Sequence, residues 1–149
     1  MKLAVGGEDR VLADLLDEAL TAFNAKATGA DNGRELSVRV TAGSVDTESH
    51  GSVGGEEVLL GGLTGWTWGD ACEIHMLWIR EDLRASGLGT RLVRAAEEEA
   101  RRRGCRHLQV SSYTFQAPDF YKRLGFVETG RTPGVPGGHE DVHLYKRLD

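Results

Sequence analysis

"REDLRASGLGTRLVRAAEEEARRRG", residues Arg80 to Gly104, decides how the rest of the chain is read. Leu92, Val93, Ala96 and Ala100 fall at helical spacing, which predicts a helix over Thr90–Arg103 with Gly104 as its C-terminal cap. Glu97, Glu98 and Glu99 each stand four residues before an arginine (Arg101, Arg102, Arg103), the favoured orientation for helical ion pairs. Those arginines also oppose the negative end of the helix dipole, so the charge run reads as a solvated face that needs no nucleic acid to explain it. Ahead of the helix, Arg84 and Gly87-Leu88-Gly89 form a turn that follows an apolar strand. The N–H groups of Gly87, Leu88, Gly89 and Thr90 then point together at one anion, which a phosphate or pyrophosphate fits. Glycine makes up 20 of the 149 residues, so the specificity comes from the strand–turn–helix context and not from Gly-x-Gly alone. Two other phosphate signatures fail: Leu92 holds the third glycine position of the dinucleotide fingerprint, and the P-loop's Gly-Lys-Ser/Thr is absent.

Working outward, "DRVLADLLDEALTAFNAKATG" from Asp9 places Val11, Leu12, Leu15, Leu16, Ala19, Leu20 and Phe23 at helical spacing, with Gly29 as a stop. "ELSVRVTAG" alternates Leu36, Val38 and Val40 with polar residues, as a half-buried strand does. "SVDTESHGSVGGEE" reads as a long loop. "VLLGGLTGWTWGDACEIHMLWI" reads as a hairpin turning at Gly69-Asp70. Beyond the central helix, "CRHLQVSSY" is a strand and "APDFYKRLG" a short helix, with Pro118 near its start and Gly125 at its end. "FVETGR" and "HLYKRL" close the chain as strands, with "TPGVPGGHED" as the loop between them. The order is helix, three antiparallel strands, helix, strand, helix, two strands. That predicts a mixed α/β (α+β) sandwich with a mainly antiparallel sheet flanked by helices, built as one domain over 1–149.

Composition narrows the function classes. The net charge of −5 gives no basic footprint for nucleic acid. No apolar run approaches a membrane span or a signal peptide, so a cytoplasmic protein with no membrane partner is expected. Cys72 and Cys105 lack CxxC spacing, which argues for free thiols over a disulfide framework or a zinc site.

"RASGLG", of the form R-x-x-G-x-G between a strand and a helix, resembles the acetyl-CoA pyrophosphate loop of the GNAT superfamily of N-acetyltransferases. "APDFYKRLGF" is similar to that family's A-x-x-(L/F)-Y-x-x-x-G-F segment, and the element order matches over nearly the whole chain. One position departs: the asparagine often found three residues before the alanine is Thr114. The resemblance implies acetyl-CoA as co-substrate, with no metal, and contacts to it from Arg84, Gly87, Leu88, Gly89 and Thr90. It further implies that the backbone of Leu77, Trp78 and Ile79 pairs with the pantetheine arm, with Ser111 and Ser112 across the cleft.

Moving an acetyl group from a thioester to an amine needs a neutral amine, a polarised carbonyl and a proton for the departing thiolate. The resemblance places the base at Glu73, and His75, two residues on and hence on the same face, shares the candidacy. It places the acid at Tyr121, where the hydroxyl can reach the sulfur. A backbone amide near Leu77 or Ile79 would polarise the carbonyl. Trp66, Trp68 and Trp78 read as sheet packing, or Trp66 and Trp68 as a wall of the acceptor site. Cys72 as an acetyl-accepting nucleophile lacks an activating partner in the sequence. The acceptor is a primary amine, on a small molecule or a protein, and exposed strand edges are compatible with a homodimer.

Two other classes compete. A module of the same fold that binds an acyl-CoA without transferring it would share every donor feature. "HEDVH", His139 to His143, matches the H-E-x-x-H pattern of zinc metallopeptidases through His139, Glu140 and His143. That chemistry needs both histidines on one face of a stable helix and a third ligand beyond, whereas only six residues follow here. Read as a strand, His139, Asp141 and His143 share one face and Val142 and Leu144 the other, as at a sheet edge. His139 would then border the acceptor cleft.

Overall fold

The structure, a computed structural model, describes residues 1–43 and 57–149. Helix α1 (Arg10–Thr28) starts where the Asp9 carboxylate accepts the Leu12 N–H at 2.9 Å, and it ends where Gly29 turns left-handed at φ 75° and its N–H closes on Ala25. Then follow strands β1 (Arg34–Ala42), β2 (Val58–Trp68) and β3 (Ala71–Ile79), a single 3-10 turn at Glu81–Leu83, and helix α2 (Leu88–Arg102). Strand β4 (His107–Tyr113), helix α3 (Pro118–Arg123), strand β5 (Val127–Val135) and strand β6 (His139–Arg147) complete the chain. The loop reading of residues 44–56 lies outside the described residues. Among those described, no helix is long and apolar enough to cross a membrane.

The six strands form one sheet in the order β1-β2-β3-β4-β6-β5, antiparallel throughout except for the parallel pair β3 and β4. A parallel pair needs a crossover, and α2 supplies it. The inner face, carrying Leu36, Leu63, Cys72, Ile74, Leu108, Val110, Val142 and Leu144, packs on Val93, Ala96 and Ala100 of α2 and Tyr121 of α3 to form the core. The outer face, carrying Trp66, Glu73, Gln109 and Tyr145 in register, receives no helix among the described residues.

Four readings change. The segment 132–141 is mostly strand, with the turn reduced to residues 136–138. Pro133 is tolerated because β5 is the terminal strand and steps out of register between Pro133 and Val135. Strand β6 is consequently not an edge, since it lies between β4 and β5. Helix α2 begins at Leu88, two residues early, because the left-handed Gly87 at φ 86° turns the chain into the helix as its N-cap. The charge run is not wholly solvated. Glu97 is buried and takes an ion pair from Lys146 of β6 at 2.7 Å. Arg103 bonds Glu99 at 2.9 Å and reaches the Glu35 carbonyl at 2.8 Å and the Thr67 hydroxyl at 3.0 Å. The stripe on α1 forms as read, yet it buries nothing: no residue of the helix is buried, and only Ala25 is half-buried.

Candidate functional site

A break in the sheet organises the site. Strands β3 and β4 pair from Ala71 with His107 only as far as Ile74 with Val110. Beyond that point β3 continues to Ile79 beside β2, while β4 continues to Tyr113 beside β6. The divergence begins at a bulge: Gly65 pairs with Ile74 and Thr64 with Met76, so His75 is the extra residue. Gly65 is required there, since a Cβ would overlap the Glu73 carbonyl oxygen. The result is a V between Leu77–Ile79 and Ser111–Tyr113, where facing backbone groups have no strand partner; side chains take the Tyr113 N–H (Gln116, 2.9 Å) and the Ile79 carbonyl (Arg84, 3.3 Å), and the others can bond an extended ligand.

The mouth of the V is the turn before α2. Ala85 at φ 64° and Gly87 at φ 86° are both left-handed, a conformation uncommon for alanine. The Arg84 guanidinium bonds the Ile79 carbonyl at 3.3 Å, tying the turn to the end of β3. Gly87 is the N-cap and no side chain caps the helix, so the first-turn amides of Leu88, Gly89 and Thr90 are left open to an anion. Gly89 is tightly packed: a Cβ would stand 3.0 Å from Ile79 Cδ1 and 3.1 Å from the Phe120 ring, so both side chains would have to shift.

Tyr121 lies on the inner face, 6% exposed, between the rings of Phe120 and Phe126 at 5.1 and 5.4 Å. Burial pushes its phenol up to about 12, so it stays protonated across the neutral range and can donate. Glu73 and His75 lie on the outer face, both about half exposed, with His75 Nε2 3.8 Å from Glu73 Oε2. Acid and base candidates therefore stand on opposite faces, and the V joins the two. Beside Glu73, a shallow cavity of about 210 Å³ is lined by Gln109, Ser111, Thr129, His143 and Tyr145. Tyr145 Oη is held by His107 Nδ1 at 2.7 Å, and His143 Nε2 by Thr132 Oγ1 at 2.9 Å.

The two serines separate. Ser111 is exposed and lines that cavity. Ser112 is buried and its hydroxyl accepts the Ala117 N–H at 3.1 Å, which fixes the start of α3. The tryptophans are not packed into the core: Trp66 and Trp78 are 40% and 48% exposed, and Trp68 donates to the Ala30 carbonyl at 2.8 Å. Cys72 and Cys105 are free and buried, and burial pushes the Cys72 thiol up to about 12, far from a reactive thiolate.

The peptidase reading fails on geometry. On a strand, four residues span about 13 Å, so His139 and His143 cannot share one metal. Each has another partner instead, Thr132 for His143 and Thr114 for His139 at 2.9 Å. That second bond, with the Phe115 ring packed edge-on to His139 at 4.8 Å, fastens the loop between β4 and α3 to β6. Sequence reading missed this link, as it did the cavity lining by Gln109 and Tyr145, and it set His143 in a zinc motif and not beside them. Their only signal was strand alternation, which shows a face but not which strands are neighbours.

A model of the acetyltransferase (GNAT) family matches residues 15–126. A blasticidin-S acetyltransferase of Streptomyces morookaense is 39% identical over 94 residues, covering 60% of this chain and 67% of that protein. An acetyltransferase of Agrobacterium fabrum is 27% identical over 146 residues, covering 93% of this chain and 98% of its own length. The crystal structure of an acetyltransferase from Bacillus cereus superposes with a TM-score of 0.77 at 26% identity, over 98% of each chain. With most of its length matched by the family model and its sheet arranged as in these enzymes, the chain belongs to the GNAT family of acetyltransferases.

Proposed function

We propose that the chain is an N-acetyltransferase that moves an acetyl group from acetyl-CoA directly to a primary amine in a ternary complex. The observation that carries this reading is the V between β3 and β4, which opens beside the uncapped first turn of α2. In this reading Arg84 and the amides of Gly87, Leu88, Gly89 and Thr90 hold the pyrophosphate. The backbone of Leu77, Trp78 and Ile79 pairs with the pantetheine arm, and Ser111 and Ser112 form the opposite bank. The amine approaches from the outer face, where Glu73, with His75 3.8 Å away, takes its proton directly or through water. The nitrogen–carbon bond forms as the carbon–sulfur bond breaks, an N–H near Leu77 or Ile79 stabilises the oxyanion, and Tyr121 gives its proton to the thiolate.

The half-exposed carboxylate of Glu73 and the Tyr145 ring that lines the same cavity suit a cationic amine. The test is titration calorimetry with acetyl-CoA, followed by turnover with a panel of amines headed by blasticidin S, the compound in the name of one relative. Micromolar donor binding with turnover of any amine supports the reading. Binding with no turnover across the panel favours a sensor module, and no binding overturns the donor assignment.

A further inference from the structure

Helix α1 exposes an apolar stripe that nothing among the described residues covers. Val11, Leu15, Leu20 and Phe23 are 72%, 58%, 56% and 70% exposed, and Leu12 and Leu16 about half. Its place is fixed from one end only: Gly29 closes on Ala25, Trp68 Nε1 bonds the Ala30 carbonyl, and the Gly69 N–H bonds Asn32 Oδ1. The helix is thus held at the turn between β2 and β3, with its stripe away from the core. The same chain leaves a second apolar surface open, the outer face of β2 and β3 with Trp66, Met76 and Trp78. The six stripe residues and the three on the sheet face each expose roughly 100 Å² of side chain, about 900 Å² together. A specific dimer needs only about 800 Å² from each copy.

We propose that α1 is an exchanged arm: in a two-fold dimer, the stripe from Val11 to Phe23 of each copy covers the outer sheet face at Trp66, Met76 and Trp78 of the other. Two complementary surfaces left open on one chain are what a reciprocal contact requires. The stripe from Val11 to Phe23, about 18 Å along the helix, spans the run of β2 and β3 from Trp66 to the register of Trp78, about 13 Å, and leaves the face at Gln109 and Tyr145 open to the amine. A membrane surface is disfavoured as the occupant because α1 carries Asp14, Asp17 and Glu18 against Arg10 and Lys26, without the basic polar face that anionic lipid attracts.

The test starts with light scattering of the intact chain, where the arm predicts about 32 kDa, twice the 16.2 kDa of one chain. The double variant Leu16→Lys with Leu20→Lys should run as a monomer, and its thermal transition serves as the folding control. Single variants Leu16→Cys and Met76→Cys, mixed and treated with a short bismaleimide, should form a cross-linked dimer that neither forms alone. The native thiols, 1% and 4% exposed, do not compete. A monomeric parent chain overturns the proposal, as does a dimer that survives the double lysine variant. Cross-linking of Leu16→Cys with itself overturns it as well, since that would place helix against helix.

Discussion

Replacing Gly65 with alanine tests the claim that one glycine sets the divergence of β3 from β4. The added Cβ would overlap the Glu73 carbonyl oxygen and lie within 3.4 Å of its carbon and 3.5 Å of Ile74 Cα. All three are backbone atoms of a paired strand, so no rotamer change relieves the overlap, and β3 must retreat by about 1 Å to restore ordinary contact. Such a retreat weakens two ladder hydrogen bonds, about 1 kcal/mol each, and adds overpacking strain of about 1–3 kcal/mol. The expected loss is about 3 kcal/mol, which at a urea dependence of about 2 kcal/mol per molar lowers the unfolding midpoint by about 1.5 M. Gly130→Ala is the control, because a Cβ there meets nothing within 4 Å, and its midpoint should shift by less than about 0.3 M. A loss below about 1 kcal/mol in Gly65→Ala, or an equal loss in the control, would refute the packing argument.

Tyr121→Phe should lower kcat by about 100-fold while leaving the acetyl-CoA Kd within about twofold; the reverse pattern would show a binding role. Because burial raises Tyr121 from 10.0 and Cys72 from 9.0, each to about 12, the folded state holds their protons more tightly than the unfolded state does. Their contribution is complete below about pH 9 and is lost as pH rises towards 12. Urea midpoints should therefore fall over that interval, and Tyr121→Phe should make the fall shallower. Lys146→Met leaves the buried Glu97 carboxylate without its 2.7 Å partner and should cost about 3 kcal/mol by urea unfolding; adding Glu97→Gln should recover part of it. Gly87→Ala forces a side chain into φ 86° and should destabilise the chain by about 1–2 kcal/mol, with weaker acetyl-CoA binding in calorimetry.

The fold was legible wherever local pattern and tertiary role coincide. Helix α2 could be read from its stripe and its terminal glycine, and the β2–β3 hairpin from Gly69-Asp70, because each is set by neighbours in sequence. Residues whose partners are remote were misread. Glu97 and Arg103 looked like surface charges within the run 97–103, and what takes them inward is Lys146 on one side and Glu35 and Thr67 on the other. Pro133 and the surrounding glycines looked like a loop because a terminal strand accepts residues that an inner strand refuses. In the candidate site, the glycine turn and Tyr121 could be read from motif spacing. The outer-face row of Glu73, Gln109 and Tyr145 could not, since strand order is decided by a crossover and not by any single strand.

A row of unpaired backbone groups is also a template for another strand. At the rim of a sheet, proteins blunt such a row with lysine, proline or a covering loop. The V between β3 and β4 lies inside the sheet, where none of these can be placed without obstructing it. Whatever occupies the V is then its guard, and a ligand at one hundred times its Kd adds about 2.7 kcal/mol against opening. If acetyl-CoA fills the V as proposed, solubility should follow the supply of that donor, with chains made in a donor-poor cell the first to seed aggregates.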